Sequence, residues 1–298
     1  MPSPHPRLIP IALGALWLHF FWSLVPSWLH GEYYGYGFLV PLLALAFAWR
    51  RAQVIAGTGP VAAVPAERGG PLLLALAGLA ALLLIPLRII ETGDPGWRPP
   101  LLLHGLLVTA ISHIVLGRVY SWKTSAYFLP VTIFAWSAVP YLGQIEQALV
   151  RQLTGIVIGL TREIFLLGGQ PVEQRGETLA LGTQIVEVTE GCSGIRSLQS
   201  LVMAALFFGE LLWLRWTGRV ALVAAALAAA VVCNTARAWY LADVQFSRGH
   251  EAAQTAHDPA GHFAFAASAL ILYIVARLLV PRARGRTVIR KTTVAAAR

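Results

Sequence analysis

From position 72 to position 90 the chain carries a single charged residue, Arg88, and runs of this kind recur along its 298 residues. A hydrocarbon layer about 30 Å thick is crossed by roughly 20 consecutive apolar residues in a helix. Lipid offers the backbone no hydrogen-bond partners, so such runs must be helices that satisfy their own amides. With 57% hydrophobic and 12% charged residues and a mean hydropathy of +0.65, a soluble globular chain is excluded. The pattern predicts an all-α polytopic membrane protein of about eight transmembrane helices. They are expected at 8–25, 36–49, 71–90, 99–117, 125–142, 194–214, 219–241 and 260–280. The second is short and contains Pro41. The first apolar run continues into Phe20, Phe21 and Trp22, which leaves no small-residue cleavage site, so it reads as an uncleaved span.

The net charge of +9 does not point to nucleic acid, because the basic residues sit between and after the apolar runs. Lys and Arg in short loops orient a membrane chain toward the cytoplasm. Placing the N-terminus inside puts Arg7, Arg50, Arg51, Arg68, Arg118, Lys123, Arg215, Arg219 and the basic tail on one side, 15 of 23 Lys and Arg. Both termini are therefore expected in the cytoplasm of a multi-pass protein of the inner (cytoplasmic) membrane. The stretch 143–193 is the one long piece outside the spans and falls on the extracytoplasmic side. Its first half repeats Ile145, Leu149, Leu153, Ile156, Leu160 and Ile164, a stripe that suits a helix lying in the membrane interface. Segments 178–181 and 184–188 flank Gly182-Thr183 and suit a small β-hairpin with glycine first in the turn. Residues 1–280 are expected to form one membrane-integral domain. Residues 281–298 follow as a basic cytoplasmic tail without fixed structure.

The hairpin feeds Glu190-Gly191-Cys192-Ser193-Gly194, which opens the sixth span on the outer side. A thiol at the start of a helix, near a cation and near water, is favoured as thiolate. The topology brings two further reactive groups to the same leaflet: Arg237, one to two turns below the end of the seventh span, and His257, in the loop before the eighth. A thiolate can attack an amide carbonyl and form a thioester that a second nucleophile resolves. His257 can serve as base toward the thiol or acid toward the leaving amine, and Arg237 can hold the oxyanion. Each also has a plain reading: Cys192 as a packing residue, Arg237 as an arginine reaching to the interface, His257 as a loop histidine. Glu190 can orient either partner or stay solvated, and Asn234 lies one turn before Arg237. Of the two cysteines, too few for a disulfide framework, Cys233 lies deeper in its span and reads as packing. His250, His257, Asp258 and His262 could gather zinc with Cys192, although no H-E-x-x-H or paired C-x-x-C spacing is present. His19, His104 and His113 are scattered through spans and make no ligand set.

At three places in order the chain resembles the exosortase/archaeosortase family of integral membrane cysteine transpeptidases, in its bacterial exosortase type. These are Glu190-Gly191-Cys192-Ser193-Gly194-Ile195-Arg196-Ser197, Asn234-Thr235-Ala236-Arg237, and His257-Asp258-Pro259-Ala260-Gly261 followed by Phe265. A fourth match runs from Tyr33 to Pro41, ahead of Trp49-Arg50-Arg51. There the family's usual Ser-His-Gly is replaced by Gly35-Tyr36-Gly37, so a histidine role at that place is absent.

The resemblance implies a thiol protease that acts in protein sorting, often in cells that make exopolysaccharide. Its partners would be membrane-anchored proteins ending in a Pro-Glu-Pro-like motif, a transmembrane helix and a basic cluster. Cleavage near the motif would pass the protein to an acceptor the sequence does not identify. No cofactor is implied. Cys192 would be the nucleophile, Arg237 the proton donor or oxyanion stabiliser and His257 the third member. Glu190, Asn234 and Arg196 would support them, with His262 as fallback. The competing readings are a polytopic transporter or polysaccharide-assembly protein without thiol chemistry, and a thiol hydrolase without transfer.

Overall fold

The structure is a computed structural model that describes residues 8–31, 33–57, 71–182, 184–187 and 194–280. Its helices are α1 (Leu8–His30), α2 (Leu39–Gly57), α3 (Pro71–Gly93), α4 (Arg98–Val119), α5 (Trp122–Trp136), α6 (Gly143–Leu167), α7 (Ile195–Leu211), α8 (Trp216–Arg248) and α9 (His250–Leu279). A 3-10 turn at Gly35–Phe38 leads into α2. Among the described residues six helices are long and apolar enough to cross a membrane: α1, α2 with its 3-10 turn, α3, α4, α8 and α9. The chain is therefore an all-α polytopic membrane protein. Two expected spans are shorter helices, with 15 residues in α5 and 17 in α7. Hydrogen bonds from Ser137, Ala138 and Val139 back to Phe134, Ala135 and Trp136 continue α5 for another turn. The outward surface is inverted relative to a water-soluble protein. Trp22, Leu42, Ile89, Val220 and Leu278 are all more than 60% exposed, as residues facing lipid should be.

Three clusters hold the bundle. Phe20, Leu24, Trp28, Val40, Leu101, Val108 and Phe134 join α1, α2, α4 and α5. Leu201, Ala205, Leu222, Ala226, Leu272 and Ala276 join α7, α8 and α9, where the alanines let the backbones approach closely. Ile158 and Phe165 of α6 pack with Leu179, Val186 and Ala242 and so seat the sheet on α6 and α8. The sheet has three antiparallel strands in the order β1 (Glu173–Arg175), β2 (Thr178–Leu181), β3 (Gln184–Glu187). The hairpin expected from the sequence is β2 and β3, with Gly182 at φ +60°. β1 is an addition. Its Glu-Gln-Arg sequence is exposed throughout and so lacks the apolar alternation that reveals a strand. α6 is the helix expected there, and it turns its other side to the protein. Val150, Thr154, Val157, Ile158, Thr161 and Phe165 face the protein. Of the expected stripe, Ile145, Leu149, Ile156, Leu160 and Ile164 stay exposed, free to bed in lipid, and Leu153 is half-buried.

At one end of the bundle Arg51 donates to both carboxylate oxygens of Glu210, with Nη2 to Oε2 at 2.8 Å, and Arg219 Nη2 reaches the same Oε2 at 2.9 Å. Arg51 also donates to the Tyr127 carbonyl, so α2, α5, α7 and α8 meet here. The guanidinium groups of Arg50 and Arg51 lie 4.5 and 4.9 Å from the Trp213 ring, which turns the chain between α7 and α8 at φ +53°. At the other end Tyr34 is fully buried. It donates to Glu146 and accepts from Tyr141 N at 2.9 Å, while Arg98 pairs with Glu146 at 3.0 Å. Burial and the Glu146 carboxylate push the Tyr34 phenol above its ordinary pKa, so it stays a donor. Gly37 lies flat on Trp28, whose indole nitrogen would be 2.3 Å from an added Cβ. The Tyr33–Pro41 motif thus serves to lock α1, α2 and α6 together.

Glu210 is 2% exposed and neutralises two arginines, so truncating it strands buried positive charge. Glu210→Ala should lower stability by about 3–5 kcal/mol. Unfolding of the detergent-solubilised protein, followed by denaturant titration, measures this, and Glu251→Ala at an exposed surface position should cost under about 0.5 kcal/mol.

Candidate active site

α8 and α9 form a tight antiparallel pair joined at the single residue Gly249, whose φ of +88° favours glycine. The sequence suggests a loop from 242 to 259 because hydropathy falls there. The helices instead continue through it, since Ala, Gln and Glu propagate a helix in water as readily as in lipid. His257 is accordingly not a loop residue but sits in the third turn of α9. Arg237 lies eleven residues before the end of α8, about 17 Å along its axis, because the helix runs on past the expected span end at 241.

This pairing brings the two side chains together. Arg237 Nη2 lies 2.9 Å from His257 Nε2, and His257 Nδ1 lies 3.0 Å from Asp258 Oδ1. A guanidinium only donates, so Nε2 must accept from it. The imidazole proton is then on Nδ1, where it is donated to the carboxylate. The pair of contacts therefore selects a neutral imidazole in one tautomer. Gly261, one turn after His257, leaves room for the guanidinium, whose atoms lie 3.5 Å from the position a Cβ would take.

α7 joins the site at its start. Gly194 adopts φ +76°, and an added Cβ there would sit 2.7 Å from the Asn234 side chain. A glycine is required both for the backbone turn and for the close approach to α8. Asn234, buried and one turn before Arg237, is thus the residue on which the chain emerging from the cysteine motif rests. Cys192 and Glu190 themselves lie outside the described residues. Arg196, in the first turn of α7, and His262 are exposed, and the Arg237–His257 contact involves neither. Cys233 is half-buried on α8. Among the described residues no three His, Cys, Asp or Glu side chains are grouped to hold a metal, and His250 bonds Gln254 at 2.8 Å.

Other polar groups escaped the sequence reading. Gln199 on α7 and Thr235 beside Asn234 bury side-chain atoms that no described residue satisfies. His19 and His104, read as scattered, are neighbours with ring centroids 5.5 Å apart. His104 Nδ1 lies 2.9 Å from Glu91, which Arg88 also holds at 3.0 Å. The signal was present: Arg88 and Glu91 are an i, i+3 pair inside an apolar run. His19 and Arg88 line a cleft of about 380 Å3 with residues of α3, apart from the Arg237–His257 pair. His113 bonds Ser125 and Thr132 at 2.8 and 3.0 Å.

A family model for transmembrane exosortases matches residues 28–274, more than four-fifths of the chain. The chain belongs to the transmembrane exosortase family. The matched range includes the Gly191–Gly194 motif, Asn234, Arg237 and His257, so all the candidate residues fall within it. No curated protein and no solved structure matches this exosortase. Family membership makes it a membrane transpeptidase in kind.

His257 and His262 compete for one role, and the geometry separates them. His257→Ala should reduce substrate processing by roughly 10²- to 10⁴-fold, the range of general acid–base catalysis, while His262→Ala stays within about threefold of the parent. Processing rates from immunoblots of a tagged substrate would measure both, and the reverse ranking would exclude His257.

Proposed function

We propose that this exosortase is a membrane-embedded cysteine protease and transpeptidase. It cleaves a C-terminal sorting signal, consisting of a Pro-Glu-Pro-like motif, a transmembrane helix and a basic cluster, and transfers the protein to an acceptor. Cys192 carries the acyl group as a thioester. The reaction takes place on the extracytoplasmic side of the inner membrane, with both termini of the single domain in the cytoplasm. The observation that carries this reading is the Arg237–His257 contact at 2.9 Å within a chain of the exosortase family. In sequence Cys192 stands two residues before Gly194, which rests on Asn234 one turn from Arg237.

The contact suggests an order of events. In the resting site the Arg237 guanidinium occupies the lone pair of His257 Nε2. A developing oxyanion is a stronger acceptor than a neutral imidazole, so it draws a guanidinium N–H to itself. Nε2 is then free to take the thiol proton as sulfur bonds to the carbonyl carbon. The imidazolium returns that proton to the leaving nitrogen when the C–N bond breaks, leaving the thioester and a free amine. An acceptor O–H or N–H next gives its proton to Nε2 while its heteroatom bonds the acyl carbon. The C–S bond breaks and the thiolate regains the proton. Asp258 holds the Nδ1 proton throughout, although its 85% exposure limits what that charge contributes.

Cys192→Ala should abolish processing while the protein still accumulates in the membrane, and Cys233→Ala should process normally. Mass spectrometry of substrate C-termini from cells carrying each variant measures both. Normal processing by Cys192→Ala would remove the thiol from the mechanism.

A further inference from the structure

Among the described residues β3 is the last strand of its sheet, so one of its edges has no described strand beside it. Which amides point there follows from the register. Leu181 pairs with Gln184 across a two-residue turn, and Leu179 pairs with Val186. The pair closing such a turn exchanges hydrogen bonds, and hydrogen-bonded and non-bonded pairs alternate along an antiparallel ladder. Gln184 and Val186 therefore spend their backbone groups on β2. Ile185 and Glu187 turn their N–H and C=O groups to the open edge. Among the described residues no backbone hydrogen bond reaches that edge.

The two edges of the sheet are not alike. By the same parity Gln174 presents its amide at the edge of β1, but there Glu173 and Arg175 flank it and pair with each other at 2.8 Å. Charged side chains are the usual protection of an exposed edge against further strands. On β3 the outward position next to the turn is Ile185, an uncharged β-branched residue 59% exposed, and the strand's one charged residue is Glu187 at its far end. Val186, on the opposite face, is packed with Ile158 and Phe165 of α6 and Ala242 of α8, so the strand is held rigidly while its edge stays open. It also touches α8, the helix that carries Asn234 and Arg237, and in sequence it runs directly into the Cys192 motif.

We propose that the open edge of β3 binds an extended peptide as a fourth strand, and that this peptide is the extracytoplasmic segment of the substrate beside its scissile bond. The proposal rests on the thiol reading above. Backbone bonds to Ile185 and Glu187 fix the register in which the peptide approaches the catalytic residues. A strand read in alternation tolerates Pro-x-Pro, because both prolines then face away and only the middle residue must pair with β3.

Two proline substitutions test this in the full-length protein in nanodiscs. Ile185→Pro removes the outward donor of β3 without touching the β2 ladder, and Gln174→Pro does the same on the β1 edge. The probe is a synthetic peptide with a Pro-Glu-Pro motif, a 20-residue apolar helix and three arginines. Ile185→Pro should lose at least tenfold in kcat/KM, chiefly through KM, while Gln174→Pro stays within twofold. In Cys192→Ser, which binds without turnover, hydrogen exchange at the Ile185 and Glu187 amides should slow at least tenfold when the peptide is added. Equal kinetics for the two proline variants, or unchanged exchange at these amides, would overturn the proposal. If the wild type fails to cleave the peptide, the thiol reading falls while the exchange result still decides the edge.

Discussion

A guanidinium inside a helical bundle must find acceptors or leave for water, and Arg237 finds His257 across the α8–α9 interface. That requirement ties much of the bundle together. The contact needs α8 and α9 to stay paired beyond any apolar span, and they do so through 33 and 30 residues. Opposite the guanidinium on α9 stands Gly261, where an added Cβ would lie in ordinary contact at 3.5 Å. The contact also fixes which ring nitrogen accepts, because a guanidinium only donates and Nε2 must take its N–H. The same arrangement that gives a half-buried charge an acceptor thus holds the imidazole with Nε2 turned to the guanidinium.

The two ends of the bundle act as clamps on this pair. Glu210 draws α2, α7 and α8 together through Arg51 and Arg219 at one end. At the other, Tyr34, Arg98 and Glu146 fix the start of α6, and α6 carries the sheet that leads to the cysteine motif. α7 and α8 run close along their length, with Gly209 against Arg219 at the Glu210 end and Gly194 against Asn234 at the other. Small residues at helix interfaces favour this closeness in lipid, where packing rather than water exclusion drives association.

The helical membrane fold was legible in the sequence because apolar runs leave the backbone no other choice. Hydropathy ends a span, however, not a helix, and so it misplaced His257 in a loop. It also could not see that α5 and α7 would be shorter than the other rods, or that an all-polar segment would become β1. The amphipathic stripe of α6 was identified as helical, yet the face that packs against protein carries Thr154 and Thr161 among its apolar residues and looked less regular. In the site, Arg237 and His257 were legible as groups on one leaflet, and their 2.9 Å contact was not, because it depends on the register of two helices past their apolar ends. The Glu91–His104 and Arg51–Glu210 pairs join residues 13 and 159 positions apart, distances that no local pattern reveals.

The thioester at Cys192 is the central claim, and trapping it is the most direct measurement. Purified enzyme in nanodiscs, mixed with substrate and quenched in acid within seconds, can be digested and mapped by mass spectrometry. The account predicts that the peptide containing Cys192 carries the N-terminal part of the substrate and releases it to neutral hydroxylamine. The adduct should be missing in Cys192→Ala and present in Cys233→Ala. Substrate cleaved at full rate with no hydroxylamine-sensitive adduct at Cys192, or an adduct found at Cys233 instead, would contradict it.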